Sequence, residues 1–218
     1  MQLAEAAEDP IYTIDKVIST DTIFFLYQDD KKYNDYALVH LLKKTCSKDS
    51  ICDLDFKIDF LQKNQLVYTD KITVKAASEG SEWYGNYELD SISSSFKRVS
   101  FGYPACGYDQ SNTLFYVDGK NSSKVHTWSS VGDGGWYTDV NFSLISNTKL
   151  VAYTESFWPN ETNAEEDLSG GEDGLLEYSD SIHFTKKGNK WNKDFKSPRG
   201  KVYRKKIISY SEYYKIEE

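Results

Sequence analysis

The chain has 218 residues, of which 39% are hydrophobic and 28% are charged, and these proportions exclude a disordered chain. Its formal net charge of −8 argues against a nucleic-acid-binding protein, which normally carries a basic face. It contains no run of about 20 apolar residues, so we expect no membrane span. A β-rich chain of this length commonly folds as one unit, and we therefore expect a single domain over residues 1–218.

Segments rich in β-branched and aromatic residues follow one another at short intervals, beginning with residues 11–18 and 22–28. The alternation expected of a strand is clearest where Phe56, Ile58 and Phe60 are interleaved with more polar residues. Further strand-like segments are 66–77, 82–89, 95–103, 113–117, 124–128, 136–145, 149–158, 181–191 and 201–216. This pattern predicts a mainly β protein whose antiparallel sheets pack as a sandwich or a barrel-like layer.

One segment, near residues 32–45, predicts a short helix. Tyr36, Val39 and Leu42 lie at helical spacing, and two lysines at the end of the segment suit the negative end of the helix dipole. The fold would be α+β if this helix packs on a sheet face.

The three cysteines are Cys46, Cys52 and Cys106, and the absence of a CxxC pair argues against a zinc knuckle or a thioredoxin-type site. Cys46 and Cys52 are close enough for a local disulfide, although two free thiols fit the sequence equally well. The start, MQLAEAAEDP, resembles the residues that follow a cleaved signal peptide. We therefore expect an exported protein, periplasmic or extracellular.

The stretch WSSVGDGGWY, residues 128–137, resembles a glycine-rich ligand loop. No helix pattern follows it, so a phosphate site at a helix N-terminus is excluded. We predict a hairpin whose connection runs from Ser129 to Gly135, with Trp128 and Trp136 facing each other across its base. The sequence leaves open whether the two indole rings point into the core or outward.

Two blocks of charge follow. Residues 160–180 carry eight acids and no Lys or Arg, and we predict a long acidic surface loop there. Residues 186–206 carry ten Lys or Arg against one acid, and this basic block either neutralises the acidic one or protects edge strands. The acidic loop lacks the residues of an EF-hand, so we expect no cofactor, with weak calcium binding at the loop as the alternative.

Motifs for catalysis are absent from the sequence. None of the three histidines lies in a nucleophile motif, and carboxylates such as Glu82 and Glu155 are most simply solvated strand residues. We therefore expect binding rather than catalysis.

The favoured function is a non-catalytic exported binding protein of the inhibitor or toxin-immunity type. Its acidic loop and exposed aromatic residues would dock a basic partner protein. The alternatives are a carbohydrate-binding or glycoside-hydrolysing β domain, and a structural envelope protein. The candidate partner-binding residues are Trp128, Asp133, Trp136, Tyr137, Trp158, Glu165, Glu166, Asp167, Glu172 and Asp173.

Overall fold

The computed structural model describes residues 16–25, 35–48, 51–85, 95–103, 107–133, 135–159, 173–209 and 212. These residues form two antiparallel sheets, and the smaller has the strand order β1–β2–β3–β4. Its strands are β1 (Ser19–Phe24), β2 (Asp35–Cys46), β3 (Cys52–Gln62) and β4 (Gln65–Ala77).

The larger sheet has the order β12–β11–β10–β9–β8–β7–β6–β5, and β13 also pairs with β11. Its strands are β5 (Glu82–Gly85), β6 (Phe96–Gly102), β7 (Tyr108–Tyr116), β8 (Ser123–Asp133), β9 (Trp136–Ser146), β10 (Lys149–Pro159), β11 (Asp173–Lys187), β12 (Lys190–Phe195) and β13 (Val202–Ser209). A short 3₁₀ helix, Gly119–Asn121, precedes β8.

The smaller sheet packs on one face of β6 and β7. The inward residues of β3, Ile58 and Phe60 among them, share a buried cluster with Val99 and Phe115. The rings of Phe60 and Phe115 lie 4.9 Å apart between centroids. This interface supplies the first hydrophobic core, and the predicted sandwich-like packing of antiparallel sheets is confirmed.

The second core forms because the larger sheet turns back on itself. Strands β9 to β12 cover the other face of β6 to β8, so that Phe96 and Leu114 pack with Phe142, Phe184 and Trp191. The central strand β6 is consequently buried at each of its positions. The two sheets therefore form three layers of strands: β1 to β4, β6 to β8, and β9 to β12.

The predicted helix near residues 32–45 is wrong, because residues 35–46 form strand β2 between β1 and β3. Ala37 and Val39 alternate into the first core and are 0% and 2% exposed. Leu38 lies on the other face and Leu42 at a register shift; both are half-buried, and they obscure the alternation in the sequence. Pairing with two neighbouring strands overrides the helix propensity of this leucine- and lysine-rich segment.

The disulfide between Cys46 and Cys52 is confirmed. It joins the end of β2 to the start of β3, where the two residues are also paired in the sheet. The backbone N–H of Ser47 donates to the carbonyl of Ile51 at 2.8 Å and closes the turn between them. Cys106 lies outside the described residues.

Candidate functional site

The predicted pairing of Trp128 with Trp136 is wrong. Strand β8 continues to Asp133, which lies opposite Trp136, whereas Trp128 lies opposite Asn112 of β7. The Ser-Ser-Val-Gly stretch after Trp128 consists of small residues that resemble a loop, but each of them pairs with β7. The chain reverses only between Asp133 and Trp136, where Gly135 has a φ of 90° that favours glycine.

Trp128 has a structural role in the second core. Its Nε1 donates to Oδ1 of Asp139 at 2.6 Å, and the guanidinium of Arg98 lies 5.1 Å from its ring centroid. Nη2 of Arg98 donates to Oδ2 of Asp139 at 2.9 Å and to Oδ1 of Asn112 at 2.9 Å. Because Arg98 is only 3% exposed, this network holds β9 firmly to the central layer, three residues from Trp136.

The ring partner of Trp136 is Trp158 of β10. The two indole rings are stacked, with centroids 5.4 Å apart and planes at 10°. The neighbouring pair, Tyr137 and Phe157, lies in register across β9 and β10, which places the two tryptophans on one face of the sheet. Trp158 is 42% exposed, so this pair forms part of the surface.

The exposed apolar surface continues across two more strands. Trp158 lies opposite Leu175 of β11, and Leu175 lies opposite Ile207 of β13. Residues paired in this way point to the same face of a sheet. We call Trp136, Trp158, Leu175 and Ile207 the apolar stripe; it crosses four strands and is about 14 Å wide. Ile207 is 71% exposed, the largest value among the large hydrophobic side chains of the described residues.

Sequence analysis identified the two tryptophans of the stripe but missed Leu175 and Ile207. Leu175 follows a glycine and Ile207 follows a run of basic residues, and neither carries a signal of its own. Only the register of β10, β11 and β13 aligns them with Trp158.

A polar row borders the stripe on the side of the second core. Thr138 donates to Oγ of Ser156 at 2.9 Å, and Lys205 forms an ion pair with Glu177 at 2.5 Å. These four residues lie opposite one another on the same four strands. An exposed apolar patch with a polar border is typical of an interaction surface.

The predicted acidic loop, residues 160–180, falls into two parts, of which the structure describes only the second. Residues 160–172, with Glu165, Glu166, Asp167 and Glu172, lie outside the described residues. Residues 173–180 belong to strand β11, so the prediction of a loop there is wrong. Sheet pairing with β10 and β13 accounts for this strand. Two of its acids have partners: Glu177 forms an ion pair with Lys205, and the backbone N–H of Gly200 donates to Asp180 at 2.7 Å.

The end of the sheet that carries the stripe is acidic in sequence. Asp133 is exposed in the turn before Trp136. Asp173, another candidate binding residue, is the first residue of β11. Pro159 pairs with Gly174, so both ends of the acid-rich segment 160–172 join the sheet beside the stripe. In the sequence, acidic residues therefore adjoin Trp136, Trp158 and Leu175, whereas Lys205 and Lys206 precede Ile207.

Tyr137 lies on the opposite face of β9 from the stripe. Its hydroxyl donates to Oε1 of Glu155 at 2.6 Å, and its ring stacks on Phe157 with centroids 6.3 Å apart. Phe157 is fully buried in a third small cluster with Leu176 and Ile208. Tyr137 thus packs against β10 on the face opposite the stripe.

A hydroxyl–imidazole–carboxylate chain runs across the outer face of the smaller sheet. Thr20 contacts Nδ1 of His40 at 2.8 Å, and Nε2 of His40 lies 3.1 Å from Oδ2 of Asp59. Burial by itself would raise the pKa of Asp59, but hydrogen bonds from Lys57 and Thr69 outweigh it and lower that pKa. A carboxylate that already accepts hydrogen bonds from these two donors is a weak base. The chain of hydrogen bonds therefore serves to link neighbouring strands.

Within the described ranges, no group of three or more His, Cys, Asp or Glu side chains could hold a metal ion. In the same part of the chain, no helix has the length and apolar character needed to cross a membrane. Comparison with known protein families, curated proteins and solved structures gives no match to this chain. The function is therefore inferred from the chain's own surface.

Proposed function

We propose that this protein is a non-catalytic binding protein that docks a basic partner protein on the apolar stripe. The observation that supports this most directly is the alignment of Trp136, Trp158, Leu175 and Ile207 across four strands, with Trp158 and Ile207 exposed. Tryptophan is the residue type most enriched among the side chains that dominate binding energy at protein interfaces. Here two of them are already stacked, so little conformational freedom is lost when a partner covers them.

Charge favours a basic partner. The chain has a formal net charge of −8, and the acid-rich segment joins the sheet at the end where the stripe lies. Opposite charges accelerate the encounter of two proteins and suppress unsuitable partners more than they add to affinity. The expected kinetic signature is an association rate that falls as the salt concentration rises.

The disulfide between Cys46 and Cys52 supports an oxidising compartment for this protein. Such bonds persist in periplasmic and extracellular proteins and are rare in the cytosol of most organisms. A small acidic binder in those compartments fits the inhibitor or toxin-immunity type, which acts by covering a site on another protein.

The test is affinity capture from the native envelope and from secreted proteins of neighbouring cells, followed by measured binding of the purified partner. We expect the double substitution Trp158→Ala with Ile207→Ser to weaken that binding at least about 100-fold, because it removes the two exposed anchors of the stripe. Leu66→Ser is the matched control: Leu66 is 60% exposed but lies on β4 of the smaller sheet. Equal affinity of the double variant and the wild type would refute the proposed docking site.

Salt dependence gives a separate test of the charge argument. The association rate of the same partner is measured over a range of salt concentrations. An association rate that does not change with salt would contradict the proposal that the partner is basic. It would not contradict docking on the apolar stripe.

Carbohydrate binding is the second candidate, favoured by the nearly parallel rings of Trp136 and Trp158. A flat aromatic surface with one exposed face can stack on a sugar ring. A glycan array compared between wild type and Trp158→Ala tests it. Retention of a glycan by the wild type and its loss in the variant would favour this function over protein docking.

A further inference from the structure

Strands β12 and β13 lie one after the other along the same edge of β11. Within the part of the chain that the structure describes, β13 pairs with β11 alone, and no strand lies on its other edge. An edge strand points about half of its backbone N–H and C=O groups away from its neighbour, where they can pair with another chain. β13 therefore offers a template for one added strand.

The side chains of β13 are exposed at each position from Val202 to Ile207. Val202, Tyr203 and Ile207 are 41%, 48% and 71% exposed. Lysine at an edge is a common protection against unwanted strand pairing, but that protection requires no exposed isoleucine or tyrosine. Large apolar groups left in water are unfavourable unless a partner covers them. This composition favours a docking edge over a merely protected one.

The charge of β13 differs from that of the whole chain. Arg204, Lys205 and Lys206 are consecutive, in a protein with a formal net charge of −8. Lys205 is paired with Glu177, whereas Arg204 and Lys206 alternate onto the other face of the strand. The guanidinium of Arg204 lies 5.3 Å from the ring centroid of Tyr178, its neighbour on β11, which places the two side chains on one face of the sheet. An added strand would meet two cations on one of its faces.

We propose that β13 binds an extended acidic segment of a partner protein, which adds to the sheet as one more strand. The backbone of that segment pairs with the outer edge of β13, and its alternate acidic residues contact Arg204 and Lys206. Its apolar residues, on the opposite face, cover Tyr203 and Ile207. This goes beyond the docking of a basic partner on the apolar stripe, because here the cations of β13 select the ligand. The two sites share Ile207, so the two ligands would exclude each other.

The test uses the full chain and a fluorescent synthetic peptide that alternates glutamate with valine. We expect saturable binding, reduced at least about tenfold by Arg204→Glu with Lys206→Glu, since two attractive contacts become repulsive. Neither residue belongs to the apolar stripe, so failure here leaves the proposed function untouched. The control is Lys187→Glu with Lys190→Glu, which makes the same change of charge at the β11–β12 turn and should leave binding unchanged.

Three further probes separate strand addition from other kinds of binding. The same peptide N-methylated throughout its backbone should not bind, because it cannot donate to the edge. A peptide with lysine in place of glutamate should not bind either. The proposal is overturned if the N-methylated peptide binds equally well, or if the glutamate–valine peptide shows no binding below about 1 mM. It is also overturned if vesicles containing phosphatidylserine bind and the glutamate–valine peptide does not.

Discussion

Protonation of His126 is expected to destabilise the contact between the central layer and β12. Its Nδ1 accepts a hydrogen bond from the ammonium of Lys193 at 2.9 Å, and its ring packs beside Trp128 and Phe184. Burial, and secondarily the charge of Lys193, lower the pKa of His126 from 6.5 to about 4. The folded protein therefore holds this imidazole neutral.

The sign of the effect follows from the direction of the shift. The unfolded chain takes up the proton near pH 6.5, and the folded protein takes it up only near pH 4. The stability associated with the neutral ring is fully present above pH 6.5 and is lost as the pH falls toward 4. The full difference corresponds to about 3 kcal/mol, of which about 2 kcal/mol is lost by about pH 4.5.

The assay is urea unfolding of the wild type and of His126→Gln at about pH 7 and about pH 4.5. Glutamine can still accept a hydrogen bond from Lys193 but does not titrate. We expect the wild type to lose about 2 kcal/mol more than the variant between the two conditions, because carboxylate titration is common to both. His183→Gln, at an exposed position of β11, should behave as the wild type does. Equal losses for the wild type and His126→Gln would refute the reasoning.

Three other substitutions test the supports of the site. Asp139→Ala removes the carboxylate that pairs with the buried guanidinium of Arg98, and should cost about 3–5 kcal/mol in urea unfolding. Gly174→Ala would place a Cβ against the buried ring of Phe157 and should cost about 1–3 kcal/mol, with a lower Tm in calorimetry. Cys46→Ser with Cys52→Ser should lower the free energy of unfolding by about 2 kcal/mol, and a reducing agent should lower that of the wild type by the same amount. A variant as stable as the wild type would contradict the corresponding contact.

The local features of the fold were predictable from the sequence because they depend on near neighbours. Alternation at Phe56, Ile58 and Phe60 reports directly which side chains face the core. The six-residue separation of Cys46 and Cys52 made a disulfide possible, and the hairpin of β2 and β3 brought the two residues together. β2 itself was not predictable, because its outer face is half-buried and its residues favour helix when taken alone.

The candidate site was predictable only in part. Trp136 and Trp158 stood out as large aromatic residues, but their partnership depends on the pairing of β9 with β10, and Trp128 proved to belong to the core. Leu175 and Ile207 are ordinary residues in the sequence, and they become a surface only through strand pairings across up to about 70 residues of chain.

By itself, the sequence determined the β class, the acidic charge and the proximity of two cysteines, because composition and short spacings carry those properties. Tertiary structure decided which residues meet. Strand register is set by hydrogen bonds and packing between segments distant in sequence, and a shift of one residue would turn each side chain to the other face. The stripe of Trp136, Trp158, Leu175 and Ile207 exists for that reason, and so does the separation of Trp128 from it.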